Sequence, residues 1–231
     1  LDLLLKRSGL VKNQRGTRRF DLNISINEGK RVKIKGIGSI KSFMRAISKE
    51  SERQCSLIKI KSILDERFLP NKNFTPKIKN VTKILKNCEF IPIKYALKKN
   101  QIIKAVDLPG FSKLLNYKVH QKTTFSKELS DRVRIIACLD QKPNLINSDE
   151  ELLSISNPEW DEILNNFSNT SLDVVVLTWG NEAEVDVACQ EIIERACEAF
   201  EGVPSEDRSL LSDGTSNFIR LLPDKPRITP D

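Results

Sequence analysis

The segment Arg19–Lys35, RFDLNISINEGKRVKIK, decides how the N-terminal part of the chain folds. Apolar side chains occupy every second position from Phe20 to Ile26, and they return at Val32 and Ile34. Alternation with a period of two is typical of a β-strand that has one buried face and one solvated face. The segment therefore predicts a β-hairpin with an apolar face and a polar face.

The loop of this hairpin is predicted from the pairing of its apolar positions. A three-residue loop, Glu28–Lys30, places Ile26 opposite Val32, whereas a two-residue loop places Ile26 opposite Arg31. A slip of one residue would move the apolar side chains of one strand to the wrong face of the sheet. The pattern therefore favours the three-residue loop.

Cationic and hydrogen-bonding side chains make up the polar face. The predicted register pairs Asn23 with Lys35 and Ser25 with Lys33. Guanidinium and ammonium groups on a rigid sheet can hold phosphates, and neutral polar groups add hydrogen bonds. The residues predicted to bind a nucleic acid are Arg15, Arg18, Arg19, Asn23, Ser25, Lys33 and Lys35. The same alternation occurs in any sheet with one solvated face, and this alternative stays open.

A long helix is predicted to follow the hairpin. Gly36–Gly38 ends the second strand, and Ser39 is a favourable residue for a helix N-cap. Apolar residues from Ile40 to Ile47 follow helical spacing, and the helix is expected to run towards Arg67. The segment Pro70–Pro76 then has the composition of a linker, so a domain boundary is predicted there.

Strand and helix signals are mixed in the rest of the chain. This order favours an α+β fold with a two-layer α/β sandwich over a doubly wound sheet. Strands are predicted near Ile78–Leu85, Ile102–Leu108, Leu172–Leu177 and Asn217–Leu222, and helices near Ser126–Ile135, Asp149–Asn165 and Val185–Ala199.

Charge is distributed unequally along the 231 residues. Residues 1–140 contain 32 Lys and Arg against 12 Asp and Glu, whereas residues 141–231 contain 6 against 19. Clustered cations gain affinity for a polyanion by releasing counterions from its phosphates. The N-terminal part is therefore predicted to face a nucleic acid, with a solvated lysine-rich surface as the alternative.

Residue types that carry out catalysis are sparse in this sequence. The one histidine, His120, is predicted to lie in a surface loop, and Cys189 and Cys197 are predicted to be packed thiols. The acidic runs Asp149–Glu151 and Glu182–Asp186 are expected at helix starts, where carboxylates favour the positive end of the dipole. No catalytic or metal-binding residue is therefore predicted.

The cellular location is predicted from two absences in the sequence. The five cysteines form no Cys-x-x-Cys pair, which fits a reducing cytosol. No stretch approaches the roughly 18 apolar residues of a membrane span. A cytoplasmic protein without a membrane partner is expected, and the start at Leu1 leads us to expect a piece of a longer protein.

Several motifs resemble the E subunit of the archaeal-type glutamyl-tRNA(Gln) amidotransferase. Arg19–Ile26 and Arg31–Gly36 are similar to the end of its cradle domain. Asn80–Ile84, Val106–Phe111 and Glu128–Arg134 are similar to the inserted (GAD) domain that it shares with bacterial aspartyl-tRNA synthetases. The most specific match is AFEGVPSEDR at Ala199–Arg208, followed by Asp213–Thr215 and Phe218–Pro223.

This resemblance implies a fold and a function. Residues 1–70 would form the end of a glutamine-synthetase-like cradle sheet, and residues 71–231 a ferredoxin-like inserted domain. The parent protein would be an ATP- and Mg²⁺-dependent ligase that converts Glu-tRNA(Gln) to Gln-tRNA(Gln). Ammonia would come from an asparaginase-like partner that hydrolyses glutamine. The chain alone is expected to be inactive and to bind neither ATP nor Mg²⁺, and the seven polar-face residues would contact tRNA(Gln).

Two alternatives remain at this point. The chain could be the inserted domain of an aspartyl-tRNA synthetase, although no cradle hairpin is expected to precede it there. It could also be a module that binds tRNA or a partner protein without catalysis.

Overall fold

The computed structural model describes residues 4, 7–10, 19–68, 74–120, 123–150, 155–167 and 170–222. Within these residues the chain has a mixed α+β fold, as predicted. The strands are β1 (Phe20–Ile24), β2 (Val32–Ile37), β3 (Lys77–Asn80), β4 (Ile102–Leu108), β5 (Lys118–His120), β6 (Thr123–Thr124), β7 (Leu145–Asn147), β8 (Val174–Gly180), β9 (Glu206–Leu210) and β10 (Ser216–Leu221). The α-helices are α1 (Ile40–Arg67), α2 (Ile91–Lys98), α3 (Phe125–Ile136), α4 (Asn157–Phe167) and α5 (Glu182–Ala199), and Ile84–Asn87 is a 3₁₀ helix.

The first sheet has the strand order β1-β2-β9-β10. Strand β2 pairs in parallel with β9, whereas the other two pairs in this sheet are antiparallel. The inner face of the sheet buries Val32, Ile34 and Ile37 against helix α1. The sheet thus takes strands from both sides of the predicted linker at Pro70–Pro76, and the division of the chain into two domains stays a prediction.

The predicted hairpin is present, but its predicted register is wrong. Asn23 lies opposite Lys33 and Ile24 opposite Val32, so the pairing is shifted by two residues and residues 25–31 form the loop. The amide of Ile26 donates to Oε1 of Gln54 at 3.1 Å and not to a residue of β2. The ladder therefore ends at Ile24, and because a shift of two keeps each side chain on its face, the polar face survives.

Helix α1 begins and ends where the sequence predicts. The hydroxyl of Ser39 accepts from the amide of Ser42 at 3.2 Å, and the amide of Ser39 donates to the hydroxyl of Ser42 at 3.1 Å. The predicted apolar stripe is wrong at two positions, since Ile40 and Met44 are 65% and 62% exposed. The buried stripe comprises Ala46, Glu50, Arg53, Gln54, Leu57, Ile60 and Leu64.

The second sheet, β3-β4-β8-β7, lies in the middle of three layers and not in the predicted two. In β8, Val174 and Val176 face helices α3 and α5, whereas Val175 and Leu177 face α2 and α4. Apolar side chains on both faces of a strand require cover on both faces. The continuous apolar run in β8 is the reason for the third layer.

The remaining elements match the predictions unevenly. Strands β4, β8 and β10 and helices α3 and α5 lie where the sequence predicts them. The strand predicted at Ile78–Leu85 stops at Asn80 and gives way to the 3₁₀ helix, and α4 begins at Asn157 rather than at Asp149. In the described part of the chain, no helix is both long enough and apolar enough to cross a membrane.

Candidate nucleic-acid interface

The predicted nucleic-acid-binding residues converge only in part. Asn23, Lys33 and Lys35 share the outward face of the first sheet, and Arg19 is exposed immediately before β1. Ser25 is exposed in the loop after β1 and is not paired with Lys33. Arg15 and Arg18 lie outside the described residues.

Ion pairs reduce the positive charge of this outward face. Lys33 pairs with Asp21 at 2.9 Å, and Lys35 pairs with Asp207 at 2.6 Å. Arg220, which the sequence analysis did not select, also pairs with Asp207, at 2.8 Å. Burial alone would raise the pKa of Asp207, but Lys35 and Arg220 outweigh burial and lower it. The face therefore carries fixed pairs of opposite charge in addition to its cations.

Gln54 of α1 forms hydrogen bonds with the backbone at the start of the hairpin loop. Its Oε1 accepts from the amide of Ile26 at 3.1 Å, and its Nε2 donates to the carbonyl of Ile24 at 3.3 Å. Nε2 also donates to Oε1 of Glu50 at 2.8 Å. These bonds attach the end of β1 and the start of the loop to α1.

A buried ion network lies beneath the sheet. Arg53 of α1 pairs with Glu50 at 2.9 Å, with Glu128 of α3 at 2.5 Å and with Glu206 of β9 at 2.5 Å. Arg208 of β9 pairs with Glu206 at 2.7 Å and with Glu128 at 3.2 Å. The five side chains are at most 6% exposed, so each charge depends on its partners and not on water.

This network is a brace between elements and not an acid–base centre. Burial alone would raise the pKa of Glu128, but Arg53 and Arg208 outweigh burial and lower it to about 2. The pKa of Glu206 is lowered in the same way. A general acid or base needs a pKa near the working pH, and these carboxylates stay ionised and paired.

This network was not predicted, although the sequence contains a signal for it. Glu50, Arg53 and Gln54 continue the helical spacing that runs from Ala46 to Leu57. Polar residues that occupy an apolar stripe at helical spacing indicate a buried polar cluster.

The other candidate groups for chemistry are one histidine, two cysteines and two glutamates of α5. His120 is 9% exposed and lies in β5, so the predicted surface-loop position is wrong, and burial lowers its pKa. Cys189 is buried, and burial raises its pKa to about 12, whereas Cys197 is exposed and not packed. Glu182 and Glu184 lie in the first turn of α5, as predicted.

The acidic run at Asp149 has a different role from the one predicted. Asp149 lies in a turn after β7 and not at the start of α4, which begins at Asn157, and a carboxylate oxygen of Asp149 accepts from the amide of Lys113. Among the described residues no group of three or more His, Cys, Asp and Glu side chains is placed to hold a metal ion.

Comparison with known proteins decides the family. The family described as the GatB/GatE catalytic domain matches residues 1–142, which is more than half of the chain. The chain belongs to the GatB/GatE family. The matched range runs past Pro70–Pro76 and includes β1–β6 and α1–α3.

Curated relatives in the GatB/GatE family agree with this assignment. Proteins named as the E subunit of glutamyl-tRNA(Gln) amidotransferase from Methanocaldococcus jannaschii, Thermococcus gammatolerans and Pyrococcus abyssi are 36%, 34% and 32% identical to the chain. The matches cover 99%, 98% and 98% of the chain and 36%, 36% and 35% of the three relatives. The chain thus spans about a third of the length of the curated relatives that it matches.

Proposed function

We propose that the chain is part of a tRNA-dependent amidotransferase that converts Glu-tRNA(Gln) to Gln-tRNA(Gln) for translation. The observation that carries this proposal is the match to the GatB/GatE catalytic domain, supported along nearly the whole chain by relatives named as amidotransferase E subunits. The reaction forms a carbon–nitrogen bond, so the complete protein would be a ligase. It would act in the cytoplasm. An asparaginase-like partner would hydrolyse glutamine and supply the ammonia.

The complete enzyme would need ATP and Mg²⁺ to activate the glutamyl carboxylate. The described residues do not fit a magnesium site, because they include no cluster of three or more acidic, His or Cys side chains placed to bind a metal. We therefore assign only tRNA binding to the described residues.

The outward face of the first sheet is the proposed contact for tRNA(Gln). Lys33 and Lys35 project from a paired strand, and Asn23 is exposed opposite Lys33. Asp21 and Asp207 fix the two ammonium groups in position, which limits the entropy lost when a phosphate binds. The same carboxylates compete with the phosphate, so each lysine would contribute less than an unpaired one.

An amidation assay tests the proposed function. The complete protein that carries this chain, combined with its glutaminase partner, should form Gln-tRNA(Gln) from Glu-tRNA(Gln), glutamine, ATP and Mg²⁺. If the partner hydrolyses glutamine but no Gln-tRNA(Gln) appears, the proposal is wrong.

Lysine variants test the tRNA contact. Lys33→Gln with Lys35→Gln should raise KM for tRNA and lower the slope of log affinity against log salt by up to about 2, since each phosphate contact contributes roughly 0.9. Lys41→Gln with Lys59→Gln removes the same charge from exposed positions on α1 and is the control. Equal slopes for the two double variants would remove the sheet face from the tRNA interface.

A further inference from the structure

Helix α2 has an outward face that the proposed function does not use. The inward positions Ile93 and Ala96 are 0% and 1% exposed and pack against the second sheet. On the opposite side Ile91 is 79% exposed and Tyr95 is 60% exposed. An exposed isoleucine and an exposed tyrosine one helical turn apart indicate a contact surface more than an ordinary solvated face.

Lysines surround these two exposed side chains. Lys94 and Lys98 continue the spacing of Ile91 and Tyr95 on the same helical face, and Lys99 follows at the end of the helix. The ammonium group of Lys99 lies 4.4 Å from the centre of the Tyr95 ring. The neighbouring 3₁₀ helix adds the exposed Lys86, and its N-cap residue, Lys83, is also exposed. We refer to these seven residues as the α2 surface.

The charges of the α2 surface are mostly not neutralised. Lys94 pairs with Glu89 at 2.7 Å, but within the described parts of the chain Lys83, Lys86, Lys98 and Lys99 have no carboxylate partner. This differs from the outward face of the first sheet, where both lysines are paired with carboxylates. An unpaired surface lysine gives up no ion pair when it binds a phosphate. The lysines of the α2 surface therefore have more positive charge available than the two lysines on the outward face of the first sheet.

Two carboxylates lie near one end of the α2 surface. Glu89 and Glu159 border a cleft with Phe90 and Ile91 at the start of the helix. Their negative charges offset positive charge at the start of α2, so the electrostatic potential is most positive at its C-terminal end, where Lys98 and Lys99 lie. The surface thus has a polarity, with its cationic end at the end of α2.

We propose that the α2 surface is a second RNA-binding surface that contacts tRNA phosphates through its unpaired lysines and an RNA base or ribose through Tyr95. Charge complementarity favours a polyanion, and the exposed aromatic ring between lysines favours RNA because nucleic-acid bases stack on such rings. The inference deepens the proposed function, since the RNA is the tRNA substrate of the amidotransferase. One contact would lie on the first sheet and the other on a helix that packs against the second sheet, so the two would hold separate parts of one tRNA.

Salt-dependent tRNA binding is the primary test. The complete protein with its partner is titrated with a tRNA(Gln) transcript between 50 and 200 mM salt, concentrations at which phosphate contacts dominate the salt dependence. Removing four contacts with Lys83→Gln, Lys86→Gln, Lys98→Gln and Lys99→Gln should lower the slope of log affinity against log salt by about 3 to 4 and weaken binding roughly 10-fold or more. A matched variant with Lys41→Gln, Lys59→Gln, Lys113→Gln and Lys118→Gln removes four exposed lysines elsewhere and should change the slope by less than about 1.

Tyr95 variants test the stacking contact. Tyr95→Ala should weaken tRNA binding roughly five-fold or more without changing the salt slope, whereas Tyr95→Phe keeps the ring and should bind like the unchanged protein. Equal affinity for the unchanged protein and Tyr95→Ala would overturn the stacking contact.

The outcomes separate this inference from the proposed function. If the unchanged protein binds tRNA(Gln) and the α2-surface variants keep its affinity and slope, the inference is wrong while the proposed function stands. If those variants instead lose only the partner protein in a co-purification, the surface docks a protein and the RNA assignment is wrong. If the unchanged protein does not bind tRNA(Gln) at all, the proposed function and the inference both fail.

Discussion

Replacing Arg53 with methionine would test the buried ion network most directly. Arg53 is 3% exposed and pairs with three carboxylates, which are themselves at most 6% exposed. Methionine fills a similar volume but leaves Glu50 without its arginine and leaves Glu128 and Glu206 with Arg208 alone. Removing one partner of a buried ion pair costs about 3 to 5 kcal/mol. Arg53→Met should therefore lower the free energy of unfolding by about 4 kcal/mol at pH 7.

The pH dependence of the free energy of unfolding provides a second, independent test of this prediction. Glu128 has a folded pKa of about 2 against an ordinary value of 4.5. Because the folded pKa is lowered, the ionised Glu128 contributes stability above pH 4.5, and this stability is lost as the pH falls through about 2. At about 1.36 kcal/mol per unit of pKa difference, the contribution is about 3 kcal/mol. Between pH 5 and pH 7 the unchanged protein should gain or lose nothing from this group.

In Arg53→Met, burial dominates and should raise the pKa of Glu128 in the folded state. A raised pKa reverses the sign, because stability is then lost as the pH rises. The variant should therefore be less stable at pH 7 than at pH 5 relative to the unchanged protein. Adding Glu128→Gln to the variant should recover part of the loss at pH 7, since Arg208 would then pair with one buried carboxylate, that of Glu206, instead of two.

Urea unfolding, followed by the fluorescence of the buried Trp179, measures these differences at both pH values. Arg45→Met changes an exposed arginine on the same helix and should stay within about 0.5 kcal/mol of the unchanged protein. A loss below about 1 kcal/mol for Arg53→Met, with a pH dependence parallel to that of the unchanged protein, would refute the argument that Arg53 holds buried charges in place.

Two further predictions concern single sites. Gly110→Ala should destabilise the fold by about 2 kcal/mol, because Gly110 has a φ of +77° and a Cβ there would meet the ring of Phe68; Gly38→Ala, where a Cβ meets open space, should change the urea midpoint little. Burial, and then the charge of Asp173, raise the pKa of Asp107 to about 6 from 3.8, so its charged form costs stability as the pH rises through about 6. Asp107→Asn should therefore stabilise the protein by about 2 kcal/mol at pH 8 and have little effect near pH 3.5, and an equal gain at both pH values would contradict this.

Local patterns predicted the elements that depend on local chemistry. Ser39 caps α1 as expected, and the alternation that begins at Phe20 gives the face of β1. The register of the hairpin could not be predicted in this way. It depends on Gln54, which is 28 residues beyond Ile26 in sequence and takes the amide that the ladder would otherwise use.

The periodicity of apolar residues also could not predict the pairing of strands that are distant in sequence. Strand β9 begins at Glu206, and the acidic and basic side chains of its sequence, EDRSL, give no apolar alternation. It is buried because Glu206 and Arg208 pair with charges from α1 and α3, and because its backbone pairs with β2 and β10. A strand that is stabilised by ion pairs with distant elements looks like a loop in the sequence.

The charge count by itself does not show which of these cations are available to a nucleic acid. Residues 1–140 do contain an excess of Lys and Arg, but some of these side chains form ion pairs with carboxylates from other parts of the folded chain. Asp207 comes from the acidic part of the chain and neutralises Lys35 through the parallel pairing of β2 with β9. Lys98 and Lys99, in contrast, have no carboxylate partner among the described residues, so their charge is left for a partner. A cluster of lysines in a sequence therefore predicts an RNA contact only where the folded chain leaves those lysines without carboxylate partners.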